Sequence, residues 1–147
     1  MAATLPFKLI TPTKVIFDGD AELVIAVTTE GEEGILAHHA PFLSALKPGV
    51  LRANIVEGTS PRRLELATSE GFMQALPDRV TVLVDDALTF EEVDVAATRA
   101  ELADATERQK AAAEPHVIAR EQAIIDFALA KLLSLIHISE PTRQAEI

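Results

Sequence analysis

From Thr4 to Asp85 the chain meets turn-forming residues roughly every eight to twelve positions: Asp18-Gly19-Asp20, Glu30-Gly31-Glu32-Glu33-Gly34, Lys47-Pro48-Gly49, Glu57-Gly58, Ser69-Glu70-Gly71 and Pro77-Asp78. Glycine tolerates positive φ and proline fixes φ near −65°, so these positions interrupt any regular element and leave room only for short ones. The intervening runs AELVIAVT, VLRANIV, RRLELAT, GFMQAL and RVTVLV are rich in β-branched residues. Leu51, Ala53 and Ile55 alternate with Arg52 and Asn54, as a half-buried strand requires. Many short strands at this spacing predict a small antiparallel sandwich or barrel over residues 1–86.

After Asp86 the turn residues vanish for nearly thirty positions, and alanine, glutamate and arginine dominate EEVDVAATRAELADATERQKAAAE. This is helix composition, with Thr89 as the expected cap and Glu91, Glu92 and Asp94 in the first turn. Pro115 ends that helix and opens a second, in which Ile118, Ile125, Leu129, Leu132 and Ile136 recur as one apolar stripe, widened by Ile124, Ala128 and Leu135. The expected fold class is therefore α+β: the sandwich or barrel, then an antiparallel two-helix hairpin over 87–136, then an irregular tail over 137–147. The first helix offers mainly Val93, Ala96, Ala100 and Ala103, so a weakly held hairpin is expected. The second helix has more apolar surface than that partner can cover, so part of it must meet the sandwich or another protein.

Composition removes several function classes. Without cysteine there is no disulfide, thiolate nucleophile or sulfur-ligated metal, which fits a reducing compartment. A net charge of −10 repels phosphate backbones, acidic residues outnumber basic ones 11 to 7 through Asp85 and 12 to 6 beyond it, and no nucleic-acid partner is expected. No basic leader precedes an apolar run, and no apolar stretch approaches the ~20 residues of a membrane helix, so the expectation is a chain without a cleaved signal and peripheral to any membrane.

The most chemical-looking stretch is EGEEGILAHHAPFLSALKPG, Glu30 to Gly49. His38 and His39 are adjacent, and in an extended segment adjacent side chains point to opposite faces, which works against closing both on one ion. A small metal-dependent β-sandwich hydrolase using His38, His39 and Glu32 is the alternative to a surface turn followed by a locally bonded histidine. No Gly-x-Ser-x-Gly turn and no phosphate-cradling glycine loop occurs, Ser44, Ser60 and Ser69 read as loop residues, and His116 and His137 read as solvent-exposed. No catalytic residue, metal or cofactor is expected.

These residues carry a family resemblance. The stretch from Phe7 to Arg52 resembles the start of the epsilon subunit of F-type ATP synthases, through Glu-Gly-x-x-Gly-Ile, His-Ala-Pro and Leu-x-Pro-Gly in order. ATSEGFMQALPDRVTVLVDDA resembles the family's glycine-phenylalanine hairpin and final strand, with Glu70 where a second glycine is usual. The resemblance implies an N-terminal antiparallel β-sandwich followed by the two-helix hairpin, in a non-catalytic rotor subunit that sits with the gamma subunit on the ring of membrane c subunits and couples ion-driven rotation to ATP synthesis. It also implies a hairpin that extends toward the catalytic alpha/beta head to restrain ATP hydrolysis, in a complex on the cytoplasmic side of the bacterial plasma (inner) membrane. Glu30, Gly31, Glu32, Gly34, His39, Ala40 and Pro41 become the candidate interface with gamma and the c ring; His38 has no role. Some relatives bind ATP through Ile/Leu-Asp-x-x-Arg-Ala; here Asp94 and Arg99 are five apart, about 140° around a helix, so ATP binding is not carried over. The segment from Ser134 departs from the family, Pro141 would break the helix, and the stretch resembles translated sequencing-adapter read-through.

Overall fold

The computed structural model describes residues 3–138, with side chains through Leu135. Nine strands come first: β1 (Leu5–Ile10), β2 (Val15–Thr28), β3 (Gly31–Ile35), β4 (Phe42–Leu46), β5 (Gly49–Glu57), β6 (Ser60–Thr68), β7 (Gly71–Leu76), β8 (Arg79–Val84) and β9 (Ala87–Leu88). Their order is β1-β8-β7-β4-β2-β5-β6-β9, with β3 beside β2 and β1 also paired to β2. The sheet thus closes on itself as the expected sandwich. Strand β2 makes the closure possible because it is long: Val15 to Ala21 run beside β1, while Val24 to Thr28 run beside β3. A register shift against β5 between Ala21 and Leu23 separates the two halves. All pairings are antiparallel except β1 with β8.

Period-two alternation decides what is inside. Leu5, Phe7 and Leu9 of β1, Leu51, Ala53 and Ile55 of β5, Met73 and Ala75 of β7, and Val80, Val82 and Val84 of β8 are all buried in one core. Phe7 and Phe17 stack there with centroids 5.5 Å apart. Each large side chain so buried stabilises the fold by about 1.5–3 kcal/mol.

Two helices follow, α1 (Val95–Ala111) and α2 (Pro115–Ile138). The first begins later than the sequence suggests. Thr89 closes a separate 3-10 turn over Phe90–Glu92, where the Glu92 carboxylate accepts from both the amide and the hydroxyl of Thr89 at 3.0 Å. Val93 is then extended, and Asp94, not Thr89, caps α1 by accepting from the Ala97 amide at 3.0 Å. Pro115 is the first residue of α2, as its fixed φ favours.

The packed faces also differ from the expected stripes. On α1 the covered residues are Thr98, Leu102, Ala105 and Gln109, spaced four, three and four, while Ala96, Ala100 and Ala103 face solvent. On α2, Glu121, Ile125, Ala128, Ala130, Lys131 and Ser134 are buried, whereas Ile118 and Leu129 are exposed. Charge contributes to the shift: Arg108 Nε meets Glu121 Oε2 at 3.1 Å and Lys131 Nζ meets Glu101 Oε1 at 3.0 Å, so two ion pairs flank the seam between the helices. The opposite side of α2 lies on β5 and β6, over the outward-facing and buried Val50 and Ala67. Part of the apolar surface of α2 therefore goes to the sandwich, while Ile118, Leu129 and Leu133 stay exposed. Helix α2 includes residues 137 and 138; the rest of the expected tail lies outside the described residues.

Candidate interaction surface

The Glu30–Pro41 segment is partly a strand. Thr29 and Glu30 form the tip of the β2–β3 hairpin, Gly31 takes φ +122°, and Gly31 to Ile35 pair with Thr28 to Val24. Buried Thr28 fastens the tip: its hydroxyl donates to the Gly31 carbonyl at 2.7 Å and accepts from the Glu30 amide at 3.1 Å. Propensity alone would not make Gly-Glu-Glu-Gly a strand; the ladder offered by β2 does so. Gly34 turns its open side to Leu23, with room for ordinary contact. Glu32 projects outward and pairs with Arg52 Nη2 at 2.7 Å.

The two histidines are not in extended backbone. His38 has φ +68°, the left-handed region, and its amide donates to the Pro77 carbonyl at 2.9 Å. This gives His38 a backbone role: it turns the chain and ties it to the β7–β8 connection. The His39 amide donates to Leu36 at 3.2 Å, its Nδ1–H donates to the Ala40 carbonyl at 2.7 Å, and its ring meets Phe42 edge-on at 6.1 Å. Among the described residues no three His, Asp or Glu side chains gather to hold an ion. The alternative of a hydrolase built on His38, His39 and Glu32 has no support: Glu32 is engaged by Arg52 and His39 by its own turn. Ser44 and Ser60 lie in strands, and His116, exposed at the start of α2, sits 3.3 Å from Glu114.

The sequence reading missed the next feature. On the outer face of β4, β7, β8 and β1, the registers place Ala45 opposite Phe72, Phe72 opposite Leu83, and Leu83 opposite Ile10. Four strands thus contribute one unbroken apolar row, with Leu43 beside it. Leu43 is 71% exposed and Phe72 59%, while the helices lie over β5 and β6. An outward row of this size marks a contact surface. The Phe72-Met73 pair was the available signal, since two neighbouring large apolar residues in a strand cannot both face the core. On β4 the outward residues are Leu43 and Ala45, whereas Phe42 packs against the core.

A family model described as "ATP synthase, Delta/Epsilon chain, beta-sandwich domain" matches residues 4–90. The ATP synthase epsilon chain of Chromobacterium violaceum is 35% identical over 133 residues, covering 90% of this chain and 94% of that one. This chain belongs to the ATP synthase epsilon-chain family. The epsilon chain of Magnetococcus marinus is similar to the same degree, 35% over 138 residues, with 92% and 96% covered. In fold, the chain resembles one in the Euglena gracilis mitochondrial ATP synthase assembly described as OSCP/F1/c-ring, with TM-score 0.75, 21% identity, and 92% and 83% covered. As a member of the epsilon-chain family it is a non-catalytic subunit of a membrane-associated complex. Among the described residues no helix is long and apolar enough to cross a membrane. Asp94 spends its carboxylate on capping α1.

Proposed function

We propose that this chain is a central-stalk rotor subunit that couples ion-driven c-ring rotation to ATP synthesis and restrains ATP hydrolysis through its C-terminal helices. In this reading residues 1–86 form the foot of the rotor and residues 87–136 the regulatory hairpin. The observation that carries it is the apolar row Ala45–Phe72–Leu83–Ile10, on the face away from the helices. That face meets the gamma subunit, and the hairpin tip with Glu30, Gly31, Glu32 and Gly34 meets the polar loops of the c ring. The complex lies at the bacterial inner membrane with this subunit on the cytoplasmic side.

The ion-paired seam supports the regulatory part. Separation of α1 from α2 exposes Glu101, Arg108, Glu121 and Lys131, which water solvates, along with the covered Leu102 and Ala105 of α1. Such a hairpin rearranges at modest cost, as reaching the alpha/beta head requires. The test is reconstitution of the full chain with gamma and the catalytic head. The expected result is a stable complex with gamma and a lowered ATPase rate; failure to bind gamma overturns the proposal.

A further inference from the structure

Arg52 and Glu65 face each other across the β5–β6 ladder, both on the outer face, and Arg52 is also opposite Ile25 of β2, beyond which β3 carries Glu32. In a directly opposed pair the side chains start close enough to interact. Yet Arg52 turns the other way and donates Nη2 to Glu32 Oε1 at 2.7 Å. Glu65 is left with Arg63 Nε on Oε1 at 3.2 Å, and its Oε2 is buried without a hydrogen-bond partner.

This allocation is unusual. The Glu65 side chain is only 11% exposed and goes short, while the Glu32 side chain, 57% exposed and already wetted, receives the guanidinium. A buried carboxylate oxygen gains more from a donor than an exposed one does. Arg52 carries five N–H donors on a long side chain and stands between the two acids.

We propose that Arg52 is a two-position residue that sets the availability of Glu32. When a lysine or arginine of a partner takes the Glu32 carboxylate, the Arg52 guanidinium turns across β5 to Glu65 Oε2, so the released cation is not stranded and the orphaned oxygen is satisfied. Glu32 is in this way a receptor for a cationic side chain, and Arg52 is its positioning residue. The partner rests on the interface reading above; the exchange itself belongs to the isolated chain.

The full chain, labelled on arginine Nε, tests it by NMR. Glu32→Gln removes the present partner and is expected to shift the Arg52 Nε–H resonance; adding the isosteric Glu65→Gln is expected to return it toward a solvent-exposed position. In chemical denaturation the Arg52–Glu65 coupling, from a cycle of Arg52→Gln and Glu65→Gln, is expected to rise about fivefold in unfolding constant once Glu32→Gln is present. An Arg52 resonance in Glu32→Gln that ignores Glu65→Gln overturns the exchange. An Arg52 that exchanges in the isolated chain, but does not move when gamma and the c ring are added to the wild type, overturns the interface reading instead.

Discussion

The Glu121 carboxylate, with 5% of its side chain exposed on α2, meets the Arg108 guanidinium of α1 at 3.1 Å, and this contact holds the seam between the helices near their connection. Removing Arg108 would leave a buried charge uncompensated as long as the helices stay together. Arg108→Ala is therefore expected to loosen α1 by about 2 kcal/mol, less than for a fully buried pair because Arg108 itself is half exposed. Hydrogen exchange checks it: amides over 98–109 should lose protection while β5 and β7 keep theirs. Uniform loss across the strands would contradict it.

Gly71 is fixed by crowding. A Cβ there would stand 2.7 Å from the Val84 Cα and closer still to the Leu83 carbonyl oxygen, both backbone atoms that cannot give way. Gly71→Ala should cost about 3 kcal/mol by overpacking and lower the unfolding midpoint accordingly. Glu70→Gly, at the neighbouring exposed position, should leave the midpoint within about 0.5 kcal/mol.

Phe72 is the centre of the outward row. Phe72→Asp should leave the far-UV spectrum and midpoint nearly unchanged while weakening association with gamma by tenfold or more, about 1.4 kcal/mol. Gamma binding at wild-type strength would rule out this face as the contact.

Hydrogen bonds from the Thr89 amide and then its hydroxyl hold the Glu92 carboxyl below the ordinary glutamate range. A depressed folded value means the ionised form is the stabilised one. Its contribution is complete above the unfolded value, about 4.3, and is lost as pH falls through the lower folded value. Acid titration followed by NMR at residues 89–93 should show this turn loosening below about pH 4, and Glu92→Gln should remove that local transition.

Thr28 fastens the β2–β3 tip with both of its hydroxyl bonds. Thr28→Val keeps the shape and strips them, so a loss of about 1–2 kcal/mol is expected, with faster exchange of the Glu30 amide. Unchanged exchange at Glu30 would show that the glycine alone holds the turn.

The sandwich was legible because its strands are half-buried and alternate: Leu51, Ala53 and Ile55 went inside, Arg52 and Asn54 outside, as the period of two demands. Strand β3 was not, since Gly31-Glu32-Glu33-Gly34 has neither propensity nor apolar alternation and is a strand because β2 extends beside it. The packed face of α1 was misread for a related reason. Apolar spacing pointed to Ala96, Ala100 and Ala103, but the seam is held by Glu101 and Arg108 pairing with Lys131 and Glu121, and charge pairing between helices leaves no apolar period. At the candidate site the turn chemistry located Glu30–Pro41 but could not reveal Phe72 or Leu83. Their neighbours in the row come from strands whose register no local pattern states.

The parallel pairing of β1 with β8 joins Phe7 to Val80, 80 − 7 = 73 positions apart in sequence. A contact so remote forms late, because the entropy of closing a long loop must be overcome before the pairing returns anything. Strand β1 is therefore expected to pair with its neighbour β2 before it reaches β8, so that the barrel-like closure comes late in folding of the sandwich, and the hairpin, seated on β5 and β6, is expected to dock after those strands have formed.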